Sequence, residues 1–289
     1  MSLFFVRMGC EKAVTMLKKI ITDIIGKKEM ASRPCVGTNI SIGITTFEER
    51  FNSYFIPLLK RIRAYEKEIE IIVAINGEHE REFNEDFRTD ILKFLSSTPN
   101  VYPIMFPRFR GLAKLWNSII IHATHDYIVM LNDDVMISDP DFIGIIIKTL
   151  QRNNGRSFLI NRSWSHFVLS RKEIDQLGYF DERLLGIGEE DGDMTWRYIE
   201  MYGSEILSYK MKGFINYSED SVDTYKPHNI QTHSGTKYSL FNRKFMFTKK
   251  YERVSDGIKG IFDQPFKLKD TGTEQYPYEQ FYRENKTQL

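Results

Sequence analysis

The chain has 289 residues, of which 42% are hydrophobic and 13% aromatic. This length and composition supply enough apolar surface for a sizeable core, which excludes intrinsic disorder for most of the chain. The 40 Lys and Arg residues nearly balance the 39 Asp and Glu residues, so no overall field attracts nucleic acid. Any anionic ligand must therefore be held by local groups.

Cysteine usage and the N-terminal segment bear on the compartment. Cys10 and Cys35 lack the spacing of a zinc or redox site, which favours a reducing, cytoplasmic environment. No apolar run in the sequence approaches the ~18 residues of a membrane span. Residues 1–38 contain an amphipathic, basic segment, which predicts an N-terminal helix packed on the body of the protein. The alternative is a helix lying on a membrane surface, which would make the protein peripheral to the inner face of the membrane.

From residue 39 onward, short apolar strands alternate with amphipathic helices, the pattern of an α/β sheet covered by helices. Apolar periodicity predicts strands over residues 40–45, 69–75, 101–106 and 127–131. It predicts helices over 51–65, 84–97 and 112–123. The domain organisation predicted is an α/β domain over residues 39–250 and a C-terminal extension over residues 251–289.

The fourth predicted strand ends abruptly in Asn132-Asp133-Asp134. Ligands of open α/β sheets bind beyond the carboxyl ends of the strands. Carboxylate and amide oxygens suit hard divalent cations such as Mn²⁺ or Mg²⁺. Taken alone, the triplet is equally consistent with an Asx-type turn that simply ends the strand.

A second acidic cluster, Gly188-Glu189-Glu190-Asp191-Gly192-Asp193, precedes apolar residues at helical spacing. Neighbouring acids repel one another unless they cap a helix, meet a cation or stay solvated. One interpretation is a helix N-terminus with Asp191 as the N-cap. The other is a carboxylate at a rigid helix start that faces a cleft and acts as a general base.

Four segments in order resemble the nucleotide-diphospho-sugar transferases of the GT-A fold, particularly glycosyltransferase family 2. They are the strand and turn Ile42-Gly43-Ile44-Thr45-Thr46-Phe47, the DxD-like Asn132-Asp133-Asp134-Val135, residues 169–193 and a His-containing loop at 233–244. Four motifs in the right order are far more specific than any one of them. The resemblance implies a GT-A (Rossmann-like) mixed sheet with helices on both faces.

The resemblance also implies roles for individual residues. Asp134 would be the principal ligand of a divalent metal, Mn²⁺ or Mg²⁺, and His233 would complete that site. Asp191, with Glu190 as second choice, would deprotonate the acceptor hydroxyl. The nucleotide-sugar pocket would be lined by Thr45, Thr46, Asn76, Asn132 and Asp133. Apart from the resemblance, the flat indole of Trp164 is a candidate platform for an acceptor sugar.

The implied activity is transfer of a sugar from a UDP-, GDP- or dTDP-sugar to a hydroxyl of a glycan or lipid-linked acceptor. One base and direct displacement would give inversion, and the implied setting is surface polysaccharide or glycolipid synthesis. Two residues depart from the family pattern. Ile75 stands where an Asp or Asn often holds the nucleobase, and Asn132 replaces the first acid of the DxD motif. The second change removes a negative charge, which should weaken metal binding when the donor is absent.

Two other classes remain as alternatives. A sugar nucleotidyltransferase would normally carry a Gly-rich basic loop after the first strand, which residues 45–50 lack. A non-catalytic GT-A scaffold would not need the Glu190-Asp191 pair, although only activity separates a scaffold from an enzyme.

Overall fold

The computed structural model describes residues 39–77, 83–216, 239–253 and 266–268. The predicted N-terminal helix, His233 and most of the predicted C-terminal extension lie outside these residues. The described strands are β1 (Ile40–Phe47), β2 (Glu70–Asn76), β3 (Val101–Met105), β4 (Tyr127–Asn132), β5 (Val135–Ile137), β6 (Phe158–Ile160), β7 (Ser163–Ser170), β8 (Leu207–Tyr209), β9 (Phe214–Asn216), β10 (Tyr251–Arg253) and β11 (Phe266–Leu268). The described α-helices are α1 (Glu48–Arg50), α2 (Ile56–Tyr65), α3 (Glu85–Ser96), α4 (Leu112–His122), α5 (Phe142–Arg152), α6 (Arg171–Leu177), α7 (Glu190–Tyr202) and α8 (Ser239–Phe245). None of them is long and apolar enough to cross a membrane.

Seven strands form one mixed sheet in the order β3-β2-β1-β4-β7-β6-β8. The four strands β3, β2, β1 and β4 are parallel to one another. β7 is antiparallel to both β4 and β6, and β8 runs parallel to β6. The prediction of an α/β mixed sheet is confirmed, and the carboxyl ends of the four parallel strands share one edge.

Helices cover both faces of the centre of this sheet. Ile72 and Ala74 of β2 pack in one core cluster with Ile119 of α4. The alternate residues Ile71 and Val73 are also completely buried. Because successive strand residues point to opposite faces, burial of both sets means that apolar groups cover each side, as the continuous apolar runs predicted.

The helix predicted over residues 51–65 is not continuous. A π-helical turn, Phe51–Phe55, separates α1 from α2. Pro57 lies in the first turn of α2 and has no N–H to continue the hydrogen-bond ladder, so the winding changes there. Arg50, at the end of the short helix α1 that directly follows β1, is buried.

Two short strands sit beside the acid triplet that follows β4. β5 begins at Val135, immediately after Asp134, and pairs antiparallel with β9. This ladder forms a two-stranded sheet separate from the main one. It holds the backbone on the far side of the triplet, so Asp133 and Asp134 occupy a turn fixed at both ends.

Gly43 in the middle of β1 allows α4 to pack closely against the sheet. A β-carbon at this position would overlap the Ile119 side chain and lie 2.9 Å from the sulfur of Met130.

We expect Gly43→Ala to lower the free energy of unfolding by about 1–3 kcal/mol through overpacking. Urea unfolding of Gly43→Ala, Ile119→Ala and the double variant measures this. The two single variants' losses of unfolding free energy should add up to more than the loss in the double variant, since truncation of Ile119 makes room for the new methyl group. Full additivity would contradict the explanation.

Candidate active site

The structure brings the residues predicted for the nucleotide-sugar pocket to the carboxyl edge of the parallel strands. Thr45 of β1 is the register partner of Asn132 of β4. On the other side of β1, Phe47 pairs with Asn76 of β2. Asn132 is partly exposed, whereas Thr45 is buried. These residues therefore line one edge of the sheet, and their role in nucleotide binding stays a prediction.

Asp133 and Asp134 are held by a buried guanidinium that the sequence analysis did not single out. Arg50 Nε donates to Asp133 Oδ1 at 2.7 Å, and Arg50 Nη2 lies 2.6 Å from the same oxygen. The same Nη2 lies 2.8 Å from Asp134 Oδ2. Thr46 Oγ1 donates to Asp133 Oδ2 at 2.8 Å. Asp133 is thus bound within the protein through both oxygens.

The charges in this cluster shift one another's pKa values. Burial alone would lower the pKa of Arg50, but the charges of Asp133 and Asp134 outweigh it and hold the guanidinium firmly protonated. Burial raises the pKa of Asp133 to about 6, and the charge of Asp134 adds to this, while Arg50 and Thr46 oppose it. Arg50 therefore offsets part of the effect that burial has on the pKa of Asp133.

One carboxylate oxygen in the cluster is available to a ligand. Asp134 Oδ1 is buried and has no hydrogen-bond partner among the residues that the structure describes. No group of three or more His, Cys, Asp or Glu side chains is arranged to hold a metal ion within the described ranges. A single carboxylate ligand suits Mg²⁺ or Mn²⁺ when phosphate oxygens and water complete the coordination. The residues present therefore fit a cation that is bound together with a diphosphate.

Asn76 has a structural task that limits its predicted role in the nucleotide pocket. Its Oδ1 accepts hydrogen bonds from the backbone N–H groups of Gly77 and Arg110, at 3.1 and 2.8 Å. Its Nδ2 donates to the carbonyl of Arg110 at 2.9 Å. The side chain thus joins the end of β2 to the segment that leads into α4. Recognition of a nucleobase by Asn76 stays a prediction, with one amide hydrogen left for it.

The second acidic cluster forms the start of α7, but Asp191 is not its N-cap. The N-cap is Glu189, which has a left-handed backbone with φ of 77° and makes no side-chain capping bond. A left-handed non-glycine residue is strained and must be held by its surroundings. Asp191 lies inside the first turn, and its Oδ1 accepts from the N–H of Gly192 at 2.8 Å.

Glu190 and Asp191 occupy different environments. Glu190 is almost completely buried; its Oε2 accepts from the N–H of Gly188 at 2.6 Å, and its Oε1 has no hydrogen-bond partner. Burial raises the pKa of Glu190 to about 8. Asp191 is only half-buried, and burial raises its pKa above the ordinary value. Of the two acids, Asp191 is the accessible one and Glu190 carries a proton at neutral pH.

The loop before α7 touches the donor side of the sheet. Leu112 N, at the start of α4, donates to the carbonyl of Gly186 at 2.7 Å. The backbone of Arg110, two residues earlier, is the group bound by Asn76 at the end of β2. This chain of contacts joins the loop before α7 to the carboxyl end of β2. The loop that leads to the predicted base thus contacts the segment that is bound at the end of β2.

A buried ionic cluster, which we call the Lys250 clamp, fixes α7 to the segment that follows α8. Lys250 is 1% exposed, and its ammonium lies 2.8 Å from Asp181 Oδ2 and 2.5 Å from Asp193 Oδ1. Arg197 lies 2.9 Å from Asp193 Oδ2, and the hydroxyl of Tyr251 donates to Asp193 Oδ1 at 2.7 Å. Burial alone would raise the pKa of both acids, but the adjacent cations hold each pKa below its usual range.

The same C-terminal segment also holds the loop that leads into α7. Asn242, which is completely buried, donates to the carbonyls of Leu185 and Gly188 at 2.8 and 2.7 Å and accepts from the N–H of Leu185 at 2.7 Å. Arg243 pairs with Glu189 at 3.0 Å. These contacts hold the strained backbone at the start of the helix. Asn242 belongs to the predicted His-containing loop, but its bonds to the loop before α7 were not predicted, and Lys250 was not predicted because an isolated polar residue gives no periodic signal.

Trp164 lies at the start of β7 and is half-buried. Its ring packs edge-on against Phe167 and Phe180, with centroids 4.9 and 6.2 Å away. One part of the indole therefore belongs to the core, and its role as an acceptor platform stays a prediction. His166, two residues on, is buried and stacks on Phe214. Burial lowers the pKa of His166 to about 4, so it is neutral.

The mixed sheet, with acids after a central strand and at a helix start, is the arrangement that the GT-A resemblance implies. Residues 41–197 match the family described as glycosyl transferase family 2. Because this match covers more than half of the chain, the protein belongs to glycosyltransferase family 2. A comparison with curated proteins gives no significant match.

Several solved structures resemble this chain. S. aureus TarS is 13% identical with a TM-score of 0.48, and the alignment covers 61% of this chain and 36% of TarS. The structure of TarS 1-349 in complex with UDP is 12% identical with a TM-score of 0.44, covering 59% of this chain and 60% of that one. A mannosyltransferase from Pyrobaculum calidifontis, in complex with GDP-Man and Mn²⁺, is 12% identical with a TM-score of 0.47, covering 60% and 54%. The chain therefore spans less than two thirds of the length of these proteins.

The Lys250 clamp should contribute strongly to stability. Lys250→Met leaves Asp181 and Asp193 buried without their shared cation, and loss of one partner from a buried ion pair costs roughly 3–5 kcal/mol. Lys249→Met is the matched control, because Lys249 is the exposed neighbour and its loss should change stability by less than about 0.5 kcal/mol. Chemical denaturation of both variants measures the difference. Equal stabilities would show that the clamp does not hold the helix.

The raised pKa of Glu190 predicts that the protein becomes less stable as the pH rises. Its pKa rises from 4.5 to about 8 on folding, so between these values the folded state binds a proton that the unfolded state lacks. Its contribution is complete below pH 4.5 and is lost as the pH rises to 8. Glu190→Gln keeps a neutral side chain and should flatten the decline, which reaches at most about 1.4 kcal/mol per pH unit.

The measurement for Glu190 is urea unfolding between pH 5 and pH 8. Glu200→Gln, an exposed position on the same helix, should retain the wild-type slope. Parallel pH profiles for the wild type and Glu190→Gln would contradict a protonated Glu190 in the folded protein.

Proposed function

We propose that this protein is a metal-assisted glycosyltransferase that moves a sugar from a nucleotide diphosphate donor to a hydroxyl of an acceptor glycan. Family membership supports the general class. The observation that supports the specific proposal is a pair of acid sites: Asp133-Asp134 directly follows β4, and the loop before Glu190-Asp191 contacts the segment bound at the end of β2. The first has a free buried carboxylate oxygen, and the second has a half-buried carboxylate.

On the donor side, the residues of the sheet edge would hold the nucleotide and its diphosphate. Asp134 Oδ1 would ligate the divalent cation, Mn²⁺ or Mg²⁺, since it is the carboxylate oxygen without a partner. When bound, such a cation offsets the negative charge on the departing diphosphate. Thr46 and Arg50 keep Asp133 fixed in place. Asn132 and Thr45 face the same edge and would contact the donor, and His233 stays a further proposed ligand.

On the acceptor side, Asp191 would take the proton of the attacking hydroxyl. Asp191 Oδ1 is occupied by the N–H of Gly192, which leaves Oδ2 as the basic atom. Burial raises the pKa of Asp191, and a base of raised pKa accepts a proton more readily. Glu190 would stay protonated and support the helix start rather than act as the base. One base and one displacement give inversion at the sugar carbon.

The donor would be a UDP-, GDP- or dTDP-sugar, and the acceptor a glycan or a lipid-linked glycan in surface polysaccharide or glycolipid synthesis. A cytoplasmic site of action, with peripheral contact to the inner face of the membrane through residues 1–38, fits the amphipathic segment of the sequence. Trp164 would stack on an acceptor sugar through the part of its ring that the core leaves exposed.

Replacement of the proposed base tests the mechanism. We expect Asp191→Asn to reduce sugar transfer by about a hundred- to ten-thousandfold, because the amide cannot accept the proton. The measurement is metal-dependent release of nucleoside diphosphate from a panel of nucleotide sugars, with and without acceptor. Glu200→Gln on the exposed part of the same helix should retain full activity.

The same assay separates the alternatives. Full transfer by Asp191→Asn would remove the base assignment. Release of pyrophosphate from a nucleoside triphosphate and a sugar phosphate would identify a nucleotidyltransferase instead. A wild-type protein that folds, binds nucleotide and turns over none of the panel would support a non-catalytic scaffold.

A further inference from the structure

A cavity beside β8, the last strand of the main sheet, is lined by cations that the proposed donor site does not use. Its volume is about 600 Å³, and Arg162, Lys210 and Lys212 line it together with Ser208. The three cations are exposed, and none of them forms an ion pair with an acid in the part of the chain that the structure describes. The described residues that line the cavity include no acid. We call this cavity the Arg162 pocket.

The Arg162 pocket lies at the carboxyl edge of the parallel strands. β7 begins beside the end of β4, because Leu131 pairs with His166. β6 and β8 both end at this edge, since Ile160 pairs with Ser163, the first residue of β7, and with Tyr209. Three strand spacings of about 4.8 Å separate β8 from β4, about 14 Å in all. The pocket therefore shares an edge with the acid pair that follows β4, with room for sugar rings between them.

The turn between β6 and β7 carries backbone strain at the pocket. Asn161 and Arg162 both have positive φ, 53° and 61°, a geometry that favours Asn followed by Gly in two-residue hairpin turns. The Asn161 side chain donates to the carbonyls of Met211 and Phe214 at 3.0 and 2.9 Å and accepts from the N–H of Met211 at 2.7 Å. The N–H of Arg162 donates to Ser208 Oγ at 2.8 Å. Strained residues of this kind cluster at functional sites, and here the strain places a guanidinium where glycine would fit better.

The lining of the pocket has the chemistry of a phosphate site. Guanidinium and ammonium groups bind phosphate oxygens through charge-assisted hydrogen bonds. Met211 and Phe214 are buried and add apolar surface to the lining. The chain as a whole has a net charge of only +1, so this concentration of positive charge is local. A neutral glycan would leave it unpaired, whereas a phosphate group would pair with it.

We propose that the Arg162 pocket binds a phosphate group carried by the acceptor glycan. The inference names the acceptor class and rests on the proposed function for the identity of the reaction. Arg162, Lys210 and Lys212 determine specificity in this proposal and touch no reacting atom. The pocket holds the acceptor by its phosphate and leaves its hydroxyl groups on the side of the donor site.

The test is isothermal titration calorimetry of glucose 6-phosphate and of glucose into the full-length protein. Mn²⁺ with UDP, GDP and dTDP in turn is present in excess, so that the donor site is filled. We expect the wild type to bind glucose 6-phosphate about tenfold or more tightly than glucose, since the two probes differ only in the phosphate and its charge-assisted hydrogen bonds.

Two variants test the cations, and a third is the matched control. Arg162→Gly should weaken the binding of glucose 6-phosphate about tenfold, yet its melting temperature should not fall, because glycine adopts positive φ without strain. The double variant Lys210→Gln/Lys212→Gln should weaken the binding by a similar factor. Lys93→Gln removes a charge from an exposed position on α3 and should leave the affinity within about twofold of the wild type, since distant surface charges are screened.

Four results would overturn the proposal. They are equal affinity of the wild type for the two probes, unchanged affinity in both pocket variants, and displacement of glucose 6-phosphate by a nucleotide, which would place the phosphate in the donor site. The fourth is a protein that sediments with phosphatidylglycerol vesicles through Arg162 but does not bind glucose 6-phosphate, which would assign the pocket to a lipid headgroup.

The titration does not depend on turnover, so it fails separately from the proposed function. Asp191→Asn should bind glucose 6-phosphate as the wild type does even though its transfer activity is lost. Sugar transfer by a wild type that binds glucose 6-phosphate no better than glucose would leave the glycosyltransferase standing and remove the phosphate site. Phosphate binding by a wild type that transfers no sugar would overturn the assignment of the pocket to an acceptor.

Discussion

The burial of carboxylates is the constraint that organises the candidate site. A buried charge needs a partner or must give up its charge, and the protein uses both solutions. Asp133 and Asp134 are paired with Arg50, and Asp181 and Asp193 with Lys250 and neighbouring arginines. For Glu190, which pairs with no cation within the described part of the chain, burial raises the pKa to about 8, which favours the protonated form. Pairing with Arg50 and Lys250 therefore fixes the positions of four of these carboxylates within the fold.

The sequence was sufficient to predict the fold because its signals were local and redundant. β1, β2 and β4 are short apolar runs, and each begins or ends within about two residues of its predicted bounds. The helix after β1 was predicted less well, since periodicity does not register the π-helical turn that precedes Pro57. Its apolar spacing was read correctly, but the winding depends on a backbone N–H that proline lacks.

The sequence predicted the acids of the candidate site but not the cations that hold them. The acids after β4 and at the start of α7 follow from motif order. The cations that hold them were not predicted: Arg108, Arg110 and Arg50 look alike in sequence, and only the turn after β1 shows which one is buried. The role of Lys250 was harder to predict, because its partners Asp181 and Asp193 are distant in the chain. Such pairings depend on tertiary contacts, which composition and periodicity do not encode.

The Lys250 clamp has a practical consequence for how the domain is delimited. The family match ends at residue 197, inside α7, whereas the cation that neutralises the acids beside that helix lies at residue 250. A recombinant fragment that ended at residue 197 would truncate α7. It would also leave Asp181 and Asp193 without the buried ammonium group of Lys250. The cooperatively folding unit is therefore longer than the family match at residues 41–197. We expect limited proteolysis to release no stable fragment that ends between residues 197 and 250.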